Sequence, residues 1–124
     1  MGYESTLNYV FVEAEIENLD ELNDQLSKLE YGMGDVKITK SSYGDYSMDM
    51  KDMLGSYTGK FYDDKEFAEL VSKYIVKGHL DLTFTGEDGA IWGFRIYRGK
   101  VKRLEAKFIE INYLNIFQHI YLII

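Results

Sequence analysis

The side chains here whose types could do chemistry are two histidines, His79 and His119, and several short groups of carboxylates. The histidines stand forty residues apart in different elements, and neither belongs to a short metal-ligand spacing. His79 reads as a boundary residue beside a helix end, and His119 as a partly buried polar group in an apolar tail. Asp45, Asp49 and Asp52, or Glu87 with Asp88, offer the oxygen donors that calcium or magnesium requires, but neither group has the spacing of a known cation loop. In Gly55-Ser56-Tyr57-Thr58-Gly59-Lys60 three residues separate the glycines where a phosphate-binding loop needs four. Phe61 then stands where that loop places the metal-binding serine or threonine. Gly32 and Gly34 follow a predicted helix, the reverse of a dinucleotide fingerprint, and are expected to cap it. No Gly-x-Ser-x-Gly elbow occurs. The residues point to no catalytic group, no metal and no cofactor, and a non-enzyme is expected.

Charge is the stronger signal. Residues 1–94 hold 19 acidic and 8 basic side chains, a balance of −11, whereas residues 95–124 hold 2 acidic and 6 basic, a balance of +4. The net −7 argues against direct nucleic-acid binding, because neutralising phosphates is the main source of that affinity. Alternate residues of an extended strand repeat at about 6.8 Å, so Glu13, Glu15 and Glu17 would form a ruler of negative charge. Asp45 and Asp49, on a second strand beside Tyr43, would widen the ruler into a patch. Such a patch suits a protein partner with a Lys/Arg-lined surface, and the attraction would be steered and salt-sensitive. The competing reading is a solvated face that keeps the protein soluble.

These residues need elements to position them. Residues 6–17 alternate, with Val10, Val12, Ala14 and Ile16 expected on the buried face and Tyr9, Phe11, Glu13, Glu15 and Glu17 outside. Asn18 is expected to cap a helix carrying Leu19, Leu22, Leu26 and Leu29, with Glu21 completing a capping box. Two short strands follow between Asp35 and Lys51, the second with Tyr46, Met48 and Met50 on one face and Asp45, Ser47 and Asp49 on the other. Asp63 or Asp64 caps a second helix, whose stripe of Phe67, Leu70, Val71, Tyr74 and Ile75 ends at Gly78.

Gly78 to Leu104 reads as a three-stranded antiparallel meander. A three-residue loop, Glu87-Asp88-Gly89, pairs Phe84 with Trp92, Leu82 with Phe94 and Leu80 with Ile96. The next hairpin is expected to set Phe94 opposite Leu104 and Trp92 opposite Ala106, aligning Asp81, Arg95 and Arg103 on the outer face. The fold class is therefore α+β, one domain spanning 1–124, in the order β-α-β-β-α-β-β-β plus an apolar C-terminal element, with both helices on one face of antiparallel sheet.

Residues 108–124 carry one charge, Glu110, and must be packed, either in the domain core or against a second copy through Ile116, Phe117, Ile120 and Tyr121. Five polar residues interrupt this run, which makes it a poor membrane span. With no cysteine and no signal-like start, a soluble cytoplasmic protein is expected. The leading functional expectation is a small acidic interaction protein that occupies a basic site on a protein partner, as an inhibitor or nucleic-acid mimic does. Small acidic proteins of this kind, anti-defence inhibitors among them, are typical of phages and mobile elements. A homo-oligomeric accessory module and a ligand-binding or enzymatic domain with a hidden pocket are the alternatives.

Overall fold

Alternating apolar and polar residues build the two longest strands, and these lie side by side. A computed structural model of the chain describes residues 2–50 and 58–106. β1 (Ser5–Ile16) pairs antiparallel with β5 (Ile75–Gly86), which continues into β6 (Ile91–Tyr97) and β7 (Lys100–Glu105). β4 (Thr58–Gly59) adds two residues to the far edge of β1, giving the sheet order β4-β1-β5-β6-β7. β2 (Val36–Lys40) and β3 (Tyr46–Met50) form a separate antiparallel hairpin. The helices are α1 (Leu19–Leu26) and α2 (Asp64–Ser72). The protein is thus α+β and antiparallel throughout, in the expected order apart from the extra short strand β4.

One face of the five-stranded sheet is buried. Leu80, Leu82 and Phe84 from β5 and Phe94 and Ile96 from β6 meet Phe67, Ala68 and Val71 of α2 and Leu22 and Leu26 of α1. Ile38 and Met48 of the hairpin join the same core. The β5–β6 register is the expected one, with Phe84 opposite Trp92, Leu82 opposite Phe94 and Leu80 opposite Ile96. Gly89 sits at φ +86°, the left-handed conformation this three-residue loop demands. Asp81 and Arg95 oppose each other on the outer face, also as expected.

The β6–β7 register differs by one residue from the expected pairing. Trp92 lies opposite Glu105 and Phe94 opposite Arg103, so that Arg95 faces Lys102 rather than Arg103. Tyr97 pairs with Lys100, leaving the two-residue loop Arg98-Gly99, and Gly99 N bonds the Ser72 carbonyl at 3.0 Å. Anchoring to the end of α2 accompanies the shorter turn.

β1 carries the largest correction. Leu7 is buried and Tyr9 and Phe11 pack against the core, while Val10 is 58 % and Val12 37 % exposed. Ile16 is nevertheless buried. Leu7 and Ile16 are nine residues apart, an odd separation that a regular strand would send to opposite faces. A β-bulge resolves the conflict: β1 runs from Val12 to Glu15 while β5 runs only from His79 to Lys77. Glu13 takes φ +46° in the bulge, and Gly78 opposite takes φ +69°. A Cβ on Gly78 would stand 2.2 Å from the Glu13 carbonyl oxygen. Gly78 is therefore a strand residue that admits the bulge, not the end of a helix, and α2 stops at Ser72.

The helix starts also differ from their expected chemistry. Asn18 occupies the N-cap of α1 in the left-handed conformation, φ +51°, with no side-chain cap hydrogen bond. Asparagine tolerates that conformation better than most residues, and here it turns the chain sharply out of β1. Asp63, at the N-cap of α2, is buried, and its carboxylate accepts the Tyr31 and Met33 amides at 2.8 Å each. It pins the loop after α1 instead of capping its own helix. α1 ends at Leu26, and Gly32 is used for close approach, its missing Cβ leaving room for the Lys60 carbonyl. Asp52, Gly55 to Tyr57, His119 and the apolar tail, including Ile116, Phe117, Ile120 and Tyr121, lie outside the described residues.

Candidate functional site

Between residues 13 and 49 ten carboxylates face three lysines, a balance of −7, and all ten carboxylates are exposed. This stretch runs from the bulge in β1 through α1 to the end of the β2–β3 hairpin. Its cohesion comes from two polar clamps. Asn23 on α1 donates to the Ile38 carbonyl at 2.8 Å and accepts the Ile38 amide at 2.9 Å, so the helix satisfies the outer edge of β2. At the opposite edge of the hairpin the Tyr46 hydroxyl accepts the Ile16 amide at 2.9 Å, tying β3 to the end of β1. The order across the lobe is therefore α1, β2, β3, β1.

Three of the expected patch residues line two separate hollows. Asp49 projects from the outer face of the hairpin, directly opposite Lys37, and accepts a hydrogen bond from Thr39 Oγ1 at 3.3 Å. It lines an open groove of about 660 Å³ with Asp20, Asp24 and Asp35. Glu13 and Asp45 instead line a second trough of about 230 Å³ with Tyr9, Phe11 and Tyr46. Glu15 lies across from Lys77 at the register shift, and Glu17 follows the strand, its amide bonded to the Tyr74 carbonyl at 2.9 Å. Tyr43 is 93 % exposed in the hairpin turn, where the Ser41 hydroxyl accepts its amide at 3.2 Å. The even ruler expected of Glu13, Glu15 and Glu17 is broken by the bulge, and the acidic surface is a curved lobe.

Asp20, Asp24 and Asp35 were not singled out by sequence, although Asp20 and Asp24 stand at i and i+4 on the face of α1 opposite Leu22 and Leu26. Within the lobe Asp24 pairs with Lys28 at 3.5 Å, the one ion pair there among the described residues. The alternation puts Phe11 outside, whereas the structure packs it against the core. The signal that relocates it is the odd separation of Leu7 and Ile16, which only a bulge reconciles.

The remaining candidates have structural partners. His79 Nε2 lies 3.8 Å from Asp81 Oδ1, its ring beside Tyr97 with centroids 5.3 Å apart. Asp81 is engaged by both nitrogens of the Arg95 fork, at 2.7 and 2.9 Å, and this contact pushes the Arg95 guanidinium further above its ordinary value. Asp88 accepts the Tyr3 hydroxyl and, at 3.1 Å, the Ala90 amide. That bond holds the Asp88 carboxyl below its usual range and pushes the Tyr3 hydroxyl up to about 12. Among the described residues no three histidines or carboxylates are grouped to hold a metal ion, and no helix is long and apolar enough to cross a membrane.

On the opposite side of the sheet β7 exposes Lys100, Lys102 and Arg103, with Arg98 in the preceding loop. Lys102 lies over the Tyr97 ring at 5.7 Å and Arg103 over Phe94 at 5.2 Å. Fold and surface together define an antiparallel α+β protein with an acidic lobe at one end of its sheet and a basic strand at the other. No family model, curated protein or solved structure matches the chain.

Proposed function

We propose that this chain is a small non-catalytic interaction protein whose acidic lobe occupies a basic surface on a protein partner, as an inhibitor or nucleic-acid mimic of the anti-defence type carried by phages and mobile elements. The observation that carries this reading is the exposure of all ten carboxylates between residues 13 and 49 on one clamped lobe. A stability role would favour pairing them, and only Asp24 has an ion-pair partner there among the described residues. Carboxylates fixed on a strand, a helix and a hairpin present negative charge at set positions, as a phosphate backbone does, at little ordering cost on binding.

The test is capture from a lysate of the source cell, followed by nucleic-acid displacement from the captured protein. The partner should be retained at about 50 mM salt, released at about 500 mM, and lose its nucleic acid as the acidic protein is added. Reversal of Glu13, Glu15, Glu17, Asp45 and Asp49 to lysine should abolish capture. A partner that survives both high salt and reversal overturns the reading.

A second reading, self-association as an accessory module, is favoured by Val10, Val12 and Ile91, three exposed apolar side chains on the face of the sheet away from the helices. Light scattering across a concentration series discriminates it, since a monomer at every concentration removes it.

A further inference from the structure

The trough between β1 and the hairpin differs from the rest of the acidic lobe in having aromatic walls. Phe11 lies between Tyr9 and Tyr46, with ring centroids 5.7 and 5.5 Å away. The Tyr46 ring is fixed by its hydroxyl, which accepts the Ile16 amide at 2.9 Å. Glu13 and Asp45 stand at the rim, both exposed. At about 230 Å³ the trough is smaller than the roughly 300–1,000 Å³ of ordinary small-molecule pockets. Its size suits one long unbranched side chain. Lys40 Nζ lies 5.4 Å from the Tyr46 centroid, so that ring already accepts a cation from within the chain.

We propose that this trough is an arginine-accepting subsite, in which the stem of one partner arginine lies on Phe11 and Tyr46 while its guanidinium meets Glu13 and Asp45. The inference rests on the acidic lobe being the partner-binding surface and specifies which residue of the partner it reads. Arginine fits better than lysine because its flat, weakly hydrated guanidinium stacks on aromatic faces and its fork of donors can serve two carboxylates. The bulge lets Phe11 and Ile16 both face inward, which a regular strand forbids at a separation of five residues.

The experiment is a titration of the full chain, at low salt and followed by backbone amide resonances, with the peptide acetyl-Ser-Arg-Ser-amide and its citrulline counterpart, which keeps the stem and loses the charge. The arginine peptide should move the amides of Phe11, Glu13, Asp45 and Tyr46 most, and the citrulline peptide should move none of them. The E13Q/D45N variant should weaken arginine binding about tenfold. The D20N/D24N variant removes the same charge from the same lobe and should weaken it less than about twofold. Equal weakening by the two variants, or shifts spread evenly over the lobe, overturns the subsite and leaves the acidic-lobe reading standing. No binding of the arginine peptide anywhere on the lobe overturns both. The amide spectra of the variants themselves report whether each remains folded.

Discussion

Arg95 and Asp81 face each other across β5 and β6 and share two hydrogen bonds, at 2.7 and 2.9 Å, on the sheet face away from the helices. Two parallel bonds fix the pair in one geometry, which distinguishes it from the loosely held ion pairs that add little to stability. Asp81 also has Val10 opposite it on β1, so the pair sits at the centre of a cross-strand row. We predict that Arg95→Met and Asp81→Asn each lower Tm by a few degrees and that the double variant falls little further than either single one. A thermal double-mutant cycle measures this, and strictly additive losses would show the two groups to be energetically independent.

The bulge makes Gly78 the least replaceable residue of β5. Alanine there must adopt φ +69° with its Cβ 2.2 Å from a backbone oxygen that cannot swing aside. Gly78→Ala should cost at least about 1–3 kcal/mol in urea unfolding. Gly89→Ala in the hairpin loop has a comparable φ but open space around the added atom, and should cost less.

The inverted face of β1 predicts an inverted sensitivity to substitution. Val10→Thr should change stability by no more than about 0.5 kcal/mol, because the side chain is already mostly in water. Phe11→Ala removes a half-buried ring packed on Tyr9 and Tyr46 and should cost about 1–3 kcal/mol. If Val10→Thr proves the costlier change, the strand has the opposite face inward.

The bond from Tyr3 to Asp88 ties the N-terminal segment to the β5–β6 loop and should make that contact sensitive at both ends of the pH scale. Asp88 titrates lower when folded than the ordinary 3.8, so its contribution is present above that value and is lost as pH falls through the depressed one. Tyr3 titrates higher when folded, at about 12 against 10.0, so its contribution is present below pH 10.0 and is lost as pH rises towards 12. Tyr3→Phe should shrink the alkaline limb of a stability-versus-pH curve, leaving the part that belongs to Tyr74, whose hydroxyl is also pushed up, chiefly by burial. An unchanged alkaline limb assigns it to other tyrosines.

What could be read from the sequence follows from how local each determinant is. The β5–β6 register was legible because parity and a left-handed glycine sit within one hairpin, and the apolar stripe of α2 because Phe67 and Val71 repeat at helical spacing. The face of β1 was not, since it depends on Gly78, which lies beyond α1, the hairpin and α2 in the sequence. The β6–β7 pairing slipped for the same reason, as its turn is anchored to Ser72 outside the hairpin. Asp63 was assigned to the right helix start but not to its task, because its acceptors' partners, Tyr31 and Met33, lie about thirty residues earlier. Simple alternation hides the aromatic trough because it puts Phe11 outside, whereas the charge pattern alone picks out the carboxylates at its rim, Glu13 and Asp45.

The basic strand β7 lies three strands away from β1, across a sheet whose neighbouring strands are about 4.8 Å apart. Negative and positive ends so separated make the molecule an electric dipole, and a dipole entering the field of a cationic surface turns before it touches. On the proposed reading the protein would arrive lobe first, with Lys100, Lys102 and Arg103 trailing on the side away from the partner. A fluorophore placed on a cysteine introduced at Lys100 would ride at the rear of that encounter, reporting on tumbling and capture without standing in the contact.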